Sequence, residues 1–303
     1  MVTKPQADAV PSPGSGARSC LNQAMGPDLL ASQIPSKADK DRPWLVWYGP
    51  GGERVELTGH VAAMWVCKAA GLLEEQTWPG SAVHVGGATH WRTVLWCAGA
   101  WWAGREVVLG RAGTVSRAVD AGVVEVGLSV ALVPDDLAQA ELQVLLPGSP
   151  LALRWDGGGG EVRELPPLVL DGVADVMAYP DYCPPAAAQG RAPALTVLAD
   201  AGPSTVTGPG PVADPGPVAG PGSGTVAGPG DASPRAVTRL DRATLAQGPS
   251  GGPERVPLTR TGPLDQALPL VLGAWRQRRA AVLVSSQAGE NVLAAARRQE
   301  LAD

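Results

Sequence analysis

The sequence predicts an α/β fold, a mainly parallel sheet with flanking helices, and three observations predict it. Residues 54–109 alternate short β-branched runs with two amphipathic stretches, residues 123–133 add further strand-like material, and residues 264–301 repeat a helix, strand, helix order. Helices that alternate with short strands favour a parallel sheet with right-handed crossovers over a helical bundle.

Residues before about 43 are rich in Pro, Ser, Gly, Lys and Asp and are expected to be mostly disordered, apart from a brief apolar stretch at 29–34. Residues 43–48 and 54–57 flank a Gly-Pro-Gly-Gly turn and read as a β-hairpin. Thr58 suits an N-cap, and Val61, Met64, Trp65, Ala69 and Leu72 recur at three- and four-residue steps as the buried face of a first helix. Residues 81–85 follow as a short strand. Thr89 is expected to cap a second helix, whose apolar side carries Trp91, Val94, Leu95, Ala98 and Trp102 and which Gly104 ends. Residues 105–109 form a third strand.

Further along, 135–142 read as a short helix and 157–160 as a flexible glycine loop. Asp171 reads as the cap of a helix containing Val173, Val176 and Met177, which Pro180 stops. From 202 to about 234 the chain repeats variants of Val-Ala-Gly-Pro-Gly, and similar composition persists to 253. So much Pro and Gly, with few large apolar side chains, cannot offset the entropy of ordering, so a disordered insert is expected. Order returns as a helix over 264–278, a strand over 281–284 and a helix over 289–301, expected to add to the same sheet. The boundaries that follow are 1–42, 43–201, 202–262 and 263–303.

The order Glu56-Leu57-Thr58, amphipathic helix, Pro79-Gly80, Ala82-Val83-His84-Val85, second amphipathic helix and Gly99-Ala-Trp-Trp-Ala-Gly-Arg-Glu-Val-Val108 carries a resemblance. It is similar to the N-terminal part of the adenylate-forming superfamily, the AMP-binding enzymes that include acyl-CoA synthetases, luciferases and nonribosomal peptide adenylation domains. More narrowly it resembles short actinobacterial-type proteins related to those enzymes. The likeness extends over 165–175 and 179–184 and resumes over 263–301. It implies a partial adenylate-forming N-terminal domain, with 29–34 as its short leading helix and with ATP or AMP and magnesium as ligands. It also implies that the adenine- and acyl-binding motifs, and the swinging domain that brings a catalytic Lys, have no positions in this chain.

Adenylate chemistry needs a loop of Ser, Thr, Gly and Lys whose N–H groups and hydroxyls cradle phosphate. The place for it is 194–208, where Ser204, Thr205, Thr207 and Gly208 echo the loop without a Lys. Other motifs read as structural. Gly-Pro-Ser-Gly-Gly at 248–252 matches a nucleophile elbow in letters, but Ser250 lacks the flanking strand and helix. His60 and Cys67 stand about 10 Å apart along the first helix, too far to share a metal. His84 and His90 flank Gly86 and Gly87 and read as surface or satisfied core histidines. Asp171 and Asp175, one turn apart, read as a cap and a solvated neighbour rather than an acid–base pair. Arg276, Arg278, Arg279, Arg297 and Arg298 complement helix C-termini. No catalytic residue and no metal ligand is assigned, and the cofactor-binding residues are unknown.

At 303 residues the chain is long enough for one large domain or two small ones. Its net charge of −5 gives no general attraction to nucleic acid or anionic membrane. Cys20, Cys67, Cys97 and Cys183 lack a Cys-x-x-Cys spacing, so reduced thiols are expected. The N-terminus lacks a signal-peptide core and no run spans a bilayer, so a cytoplasmic location is expected. Phe is absent while Trp supplies 10 residues, whose indole N–H groups need partners when buried. The expected protein is catalytically degenerate, with a small-ligand role or with a protein partner that covers its truncated face. The alternatives are a carboxylate–AMP ligase that uses unorthodox residues or is completed by another chain, and an interaction protein that pairs through an exposed sheet edge.

Overall fold

Apolar residues on either side of the glycine turn zip into an antiparallel hairpin, β1 (Pro43–Tyr48) and β2 (Arg54–Thr58), with Gly52 at φ +93° in the turn. The computed structural model describes residues 28–158, 164–199, 235–248 and 260–300. After the hairpin come α1 (Gly59–Gln76), β3 (Ala82–Val85), α2 (Trp91–Trp102), β4 (Val107–Leu109), α3 (Ala112–Asp120), β5 (Val126–Ala131), β6 (Leu142–Leu145) and β7 (Val169–Asp171). They are followed by β8 (Pro193–Ala199), β9 (Arg235–Asp241), α4 (Arg242–Gln247), α5 (Leu264–Arg276), β10 (Ala281–Val284) and α6 (Glu290–Glu300).

Seven strands form one sheet in the order β7-β6-β5-β3-β4-β8-β9, parallel throughout except at the β8–β9 pair. Its two faces are covered by different helices. Val83, Val107, Leu109, Leu128 and Val130 share a core with α1, α2 and α5, whereas Ala82, Val108, Val126 and Leu198 pack with Val115 and Ala118 of α3. Val126 and Leu128 face opposite ways despite their even spacing, because the β3–β5 register slips by one residue at Gly127. A Cβ on Gly127 would collide with the Ser81 side chain, so the bulge needs the glycine.

The tightest point of this core is the approach of α2 to α1. A Cβ on Gly99 would lie 2.7 Å from the Ala69 Cβ and 3.2 Å from the Val66 carbonyl. Small residues therefore set the face of α1: Ala62, Val66, Ala69, Ala70 and Leu73 are buried, and Val61, Met64 and Trp65, expected at its centre, are only half-buried at its edge. Only Trp102 of α2 escapes full burial. Arg105 closes the C-terminus of α1 by donating to the carbonyls of Trp78, Thr77 (3.3 Å) and Leu73 (3.4 Å), a buried cation on the negative end of a helix.

Several expectations need correction. The cap of α2 is His90, whose Nδ1 accepts the Arg92 N–H at 3.2 Å while the Thr93 hydroxyl accepts the His90 N–H. Thr89 turns away and donates to the Gly262 carbonyl. Residues 135–142 are not a helix; a 3-10 turn at Pro134–Asp136 leads into β6, which the parallel pairing with β5 holds extended. The helix expected after Asp171 shrinks to a 3-10 turn at Val176–Ala178, because the buried Lys68 ammonium takes the carbonyls of Met177 and Tyr179 and draws the chain along α1. Another 3-10 turn, Ala31–Gln33, stands where the leading helix was expected, with Leu30 and Ile34 buried beside it. The terminal strand β10 pairs with β1 in a separate three-stranded sheet, order β10-β1-β2, instead of joining the seven. Helix α6 packs Val292, Leu293 and Ala296 against Val46, Tyr48 and Val284 of that sheet. Two elements, β9 and α4, fall inside 202–262, where only Pro/Gly-rich chain was expected; Leu245 and Ala246 provide the apolar anchors there.

Arg242 welds these parts together. Fully buried, it donates through Nε to Asp28 at 3.0 Å and through Nη2 to Asp28 (2.5 Å) and the Trp101 carbonyl (2.7 Å). His84 is equally enclosed. Gly110 O can only accept, so Nε2 carries the proton it donates at 3.2 Å, and Nδ1 accepts from the Ser129 hydroxyl at 2.8 Å. Burial pushes the pKa of His84 down to about 4 and that of His90 down to about 3.

Two outcomes are expected. G99A should destabilise the chain by about 1–3 kcal/mol through overpacking of the helix pair, read as a lower urea midpoint. An unchanged midpoint would show that α1 and α2 separate freely. Both buried histidines have folded pKa values below the unfolded 6.5, so the unfolded state binds more protons and stability falls as pH drops from 6.5 toward 4. Chemical denaturation across pH 7 to 5 should show this slope, and H84Q should reduce it by up to one proton; equal slopes would exclude His84 as a source.

Candidate functional site

The strand order reverses at β3, with β4 on one side, β5 on the other, and the crossover helices α2 and α3 on opposite faces. Open α/β sheets take ligands in the crevice outside the carboxyl ends of the strands at such a reversal. Here that place is residues 86–90, and the chain fills it itself. The Pro134–Asp136 turn lies against the two glycines so closely that a Cβ on Gly86 would strike the Asp136 carbonyl, and one on Gly87 would lie 2.7 Å from its carboxylate. Gly87 also has φ +83°, a conformation only glycine adopts without strain. The Asp136 backbone and carboxylate therefore fill the crevice at these two glycines. Burial, and then the neighbouring Asp135, raise the pKa of Asp136.

Beside this closed crevice, at the carboxyl ends of β6 and β7, lies a cavity of about 10 Å³ walled by Trp65, Trp91, Arg92, Trp96, Leu146 and Val176. That volume holds one water-sized group. The Arg92 side chain is 4% exposed and stacks on Trp91, with its guanidinium carbon 4.2 Å from the ring centre and 5.4 Å from that of Trp65. Its Nη2 donates to the Pro150 carbonyl at 3.2 Å and the Ala152 carbonyl at 2.9 Å. Nε and Nη1 are buried without a partner among the described residues, as are the indole N–H groups of Trp91 and Trp47 and Nε2 of His90. His90 Nδ1 is an acceptor, so its Nε2 carries a proton. Every one of these orphaned groups is thus a donor.

Two carboxylates build the surrounding loop. Asp156 accepts from the N–H groups of Gly148, Ser149 and Gly158, and Asp171 from those of Trp155, Val173 and Ala174. Burial opposes charge on Asp156, yet the bonds from Ser149, Gly148 and Gly158 outweigh it and hold its carboxyl below the usual range. Burial lowers the pKa of Arg92 to about 10, with Asp156 and Asp171 opposing the shift. Arg92 remains a cation at neutral pH.

Most residues singled out in the sequence lie elsewhere. Asp171 and Asp175 are structural: Asp175 accepts the Asp171 N–H at 2.8 Å, and neither forms an acid–base pair in a cleft. His60 is exposed, whereas Cys67 is buried against Cys183. Arg276 donates to the Gln247 carbonyl, and Arg278 lies over the Trp44 ring and 3.7 Å from Asp39. Ser204, Thr205, Thr207, Gly208, Ser250 and the end of the 157–160 glycine loop fall outside the described residues. Among the described residues no group of three or more His, Cys, Asp or Glu could hold a metal, and no helix is long and apolar enough to cross a membrane. Arg92 escaped sequence reasoning because one Arg near the start of an apolar helix has no spacing signature. Its only signal was a charge on a face otherwise filled with Trp, Val and Leu.

No family model matches the chain. A TIGR03089 family protein of Mycobacterium tuberculosis (strain ATCC 25618 / H37Rv) is 29% identical over 155 residues, which cover 49% of this chain and 58% of that protein. Among solved structures, an acyl-CoA synthetase of Brucella canis superposes with a TM-score of 0.59 at 15% identity, covering 89% of this chain and 45% of its own. An acetoacetyl-CoA synthetase of Streptomyces lividans reaches a TM-score of 0.45 at 14% identity, over 55% of this chain and 27% of its own. The chain therefore spans about half the length of the first two proteins. It has the fold of part of an acyl-CoA synthetase, and it resembles the AMP-binding, adenylate-forming enzymes together with an actinobacterial relative.

Proposed function

We propose that this chain is a catalytically degenerate relative of the adenylate-forming enzymes that binds a small ligand through the donor-lined cavity at Trp91 and Arg92. The observation that carries the reading is the set of buried, unpartnered donors on Trp91 and Arg92. A buried donor without an acceptor costs about 1–3 kcal/mol, so groups left orphaned together favour a bound oxygen. The cavity admits one such atom as it stands. A larger ligand places its oxygen there and its body along Trp65, Leu146 and Val176, with the 148–158 loop or the segment after β7 giving way. Lack of catalysis is supported by the closed crevice at Gly86 and Gly87 and by the Asp136 carboxylate in it.

With ATP, magnesium and varied carboxylic acids, the purified chain is expected to give no ATP–pyrophosphate exchange above a protein-free control. Robust exchange would favour the alternative, a carboxylate–AMP ligase that uses unorthodox residues or is completed by another chain.

A thermal-shift screen with ATP, AMP and acyl-adenylate analogues tests the ligand role, since a compound that binds only the folded state raises its melting temperature. At least one compound should raise it for the wild type, and W91F, which keeps an aromatic ring but removes the indole N–H, should weaken that compound about fivefold, the worth of about 1 kcal/mol. An equal shift in W91F would place the ligand elsewhere.

A further inference from the structure

A segment of chain crosses the surface of α1 and α2 between β7 and β8, and five contacts tie it down. Lys68, 3% exposed, donates to the carbonyls of Met177 (3.1 Å) and Tyr179 (2.7 Å) and pairs with Asp181 at 2.7 Å. Trp102 donates its indole N–H to the Cys183 carbonyl at 3.2 Å and accepts the Ala186 N–H on its own carbonyl at 2.8 Å. Between these anchors, two cysteines 116 positions apart in sequence meet. The Cys183 N–H donates to Cys67 Sγ at 3.1 Å, Cys67 Sγ lies 3.6 Å from the Cys183 carbonyl, and Cys183 Sγ lies 3.8 Å from the Cys67 carbonyl. Both are free thiols, Cys67 buried and Cys183 half-buried. Each sulfur thus sits against the other residue's backbone, which brings the two side chains side by side, and neither thiol is among the residues that line the cavity.

We propose that Cys67 and Cys183 are a redox pair that closes reversibly into a disulfide, stapling residues 177–186 to α1. The oxidant is a small-molecule disulfide of the glutathione type. The pair loses one proton, and the accessible Cys183 sulfur attacks the small disulfide, forming a mixed disulfide and releasing one small thiolate. Cys67 then loses its proton and attacks the Cys183 sulfur, forming the internal bond and expelling the second small thiolate. Two protein thiols are oxidised, one small disulfide is reduced to two thiols, and the two protons go to those products. A thiol hydrogen bond from Cys183, together with its backbone N–H, brings the pKa of Cys67 down to about 7 against the opposing effect of burial, whereas the same contact and burial push the Cys183 thiol up; Cys183 therefore hands its proton to the Cys67 thiolate as it attacks, and Cys67 is the thiolate of the second step. Cys97, fully buried with its thiol pushed up by burial, is a built-in unreactive control. Val176 walls the cavity and lies one residue before the strap, so closing the bond fixes that wall, although the redox chemistry does not depend on any ligand there.

The test treats the full chain with oxidised glutathione, blocks free thiols, digests without reduction and maps linked peptides by mass spectrometry. The expected product joins Cys67 to Cys183, leaves Cys97 unlinked, raises the melting temperature by several degrees and reverts with dithiothreitol. In C67S, glutathione should remain attached to Cys183, because the resolving thiol is gone. A persistent glutathione adduct on Cys183 of the wild type, or a bond from Cys183 to Cys20 in place of Cys67, would overturn the proposal. The half-buried C183S variant guards against misfolding: its melting temperature should match that of the reduced wild type and stay unmoved by oxidant, and a rise on oxidation would likewise overturn it.

Discussion

The close contact of α1 with α2 is the constraint on which the rest of the structure depends. Gly99 against Ala69 lets two helices lie nearly backbone to backbone, so α2 reaches the sheet while α1 covers it from outside. Dispersion between such surfaces is small per atom pair and large in sum, and a single methyl group at the contact forces them apart. The approach has further consequences for the site. It brings Trp65 of α1 to within 5.9 Å of Trp91 of α2, ring centre to ring centre, and so makes one wall of the cavity. It also places Cys67, Lys68 and Trp102 on one outer surface, where the strap finds them.

Buried cations organise what the helices and sheet leave irregular. Among the described residues Lys68, Arg92, Arg105 and Arg242 are all buried; the first three donate chiefly to backbone carbonyls of a segment outside regular structure or at a helix end, and Arg242 pairs with Asp28 while donating to the Trp101 carbonyl near the end of α2. Such a side chain satisfies several orphaned carbonyls at once, which a neutral residue cannot do. Surface pairs such as Arg260 with Glu290 contribute about 0–1 kcal/mol, whereas breaking a buried pair costs about 3–5 kcal/mol. The loops are therefore fixed from within. Arg92 differs from the other three in that it lines the aromatic cavity while its Nε and Nη1 have no partner among the described residues.

The regular elements were legible in the sequence wherever periodicity and punctuation agreed. The hairpin, α1 with its Thr58 cap, β3, β10 and α6 follow from apolar runs bounded by Gly, Pro or Thr. Helix α3 carries only Thr114, Val115 and Ala118 as buried residues, too weak a pattern to stand out around Gly113. Strand β6 and the turn after Asp171 were misread because their conformation is set from outside, by the pairing with β5 and by Lys68. The site was less legible still. Thr89 and His90 are both able to cap α2, and the choice falls to His90 because the Gly262 carbonyl, 173 positions away, takes the Thr89 hydroxyl. No local pattern can carry that information.

The closed crevice and the donor-lined cavity are two sides of one arrangement. In a doubly wound sheet the carboxyl edge collects backbone N–H groups and helix N-termini, and so it is electropositive before any side chain is added. This chain disposes of that positive potential in an unusual way. At Gly86 and Gly87 the Pro134–Asp136 turn lies over the edge, with the Gly86 N–H already given to the Val130 carbonyl, and along 148–158 free N–H groups are met by Asp156 and Asp171. Asp156 and Asp171 thus satisfy six N–H groups of the loops at the ends of β6 and β7. Among the buried side-chain donors left without a partner, those of Arg92 and Trp91 belong to residues that line one aromatic enclosure with room for one oxygen. For the ligand role proposed above, room for one oxygen beside an apolar wall favours an acceptor carried on an apolar body, such as the acyl end of an acyl-adenylate, over a polyphosphate.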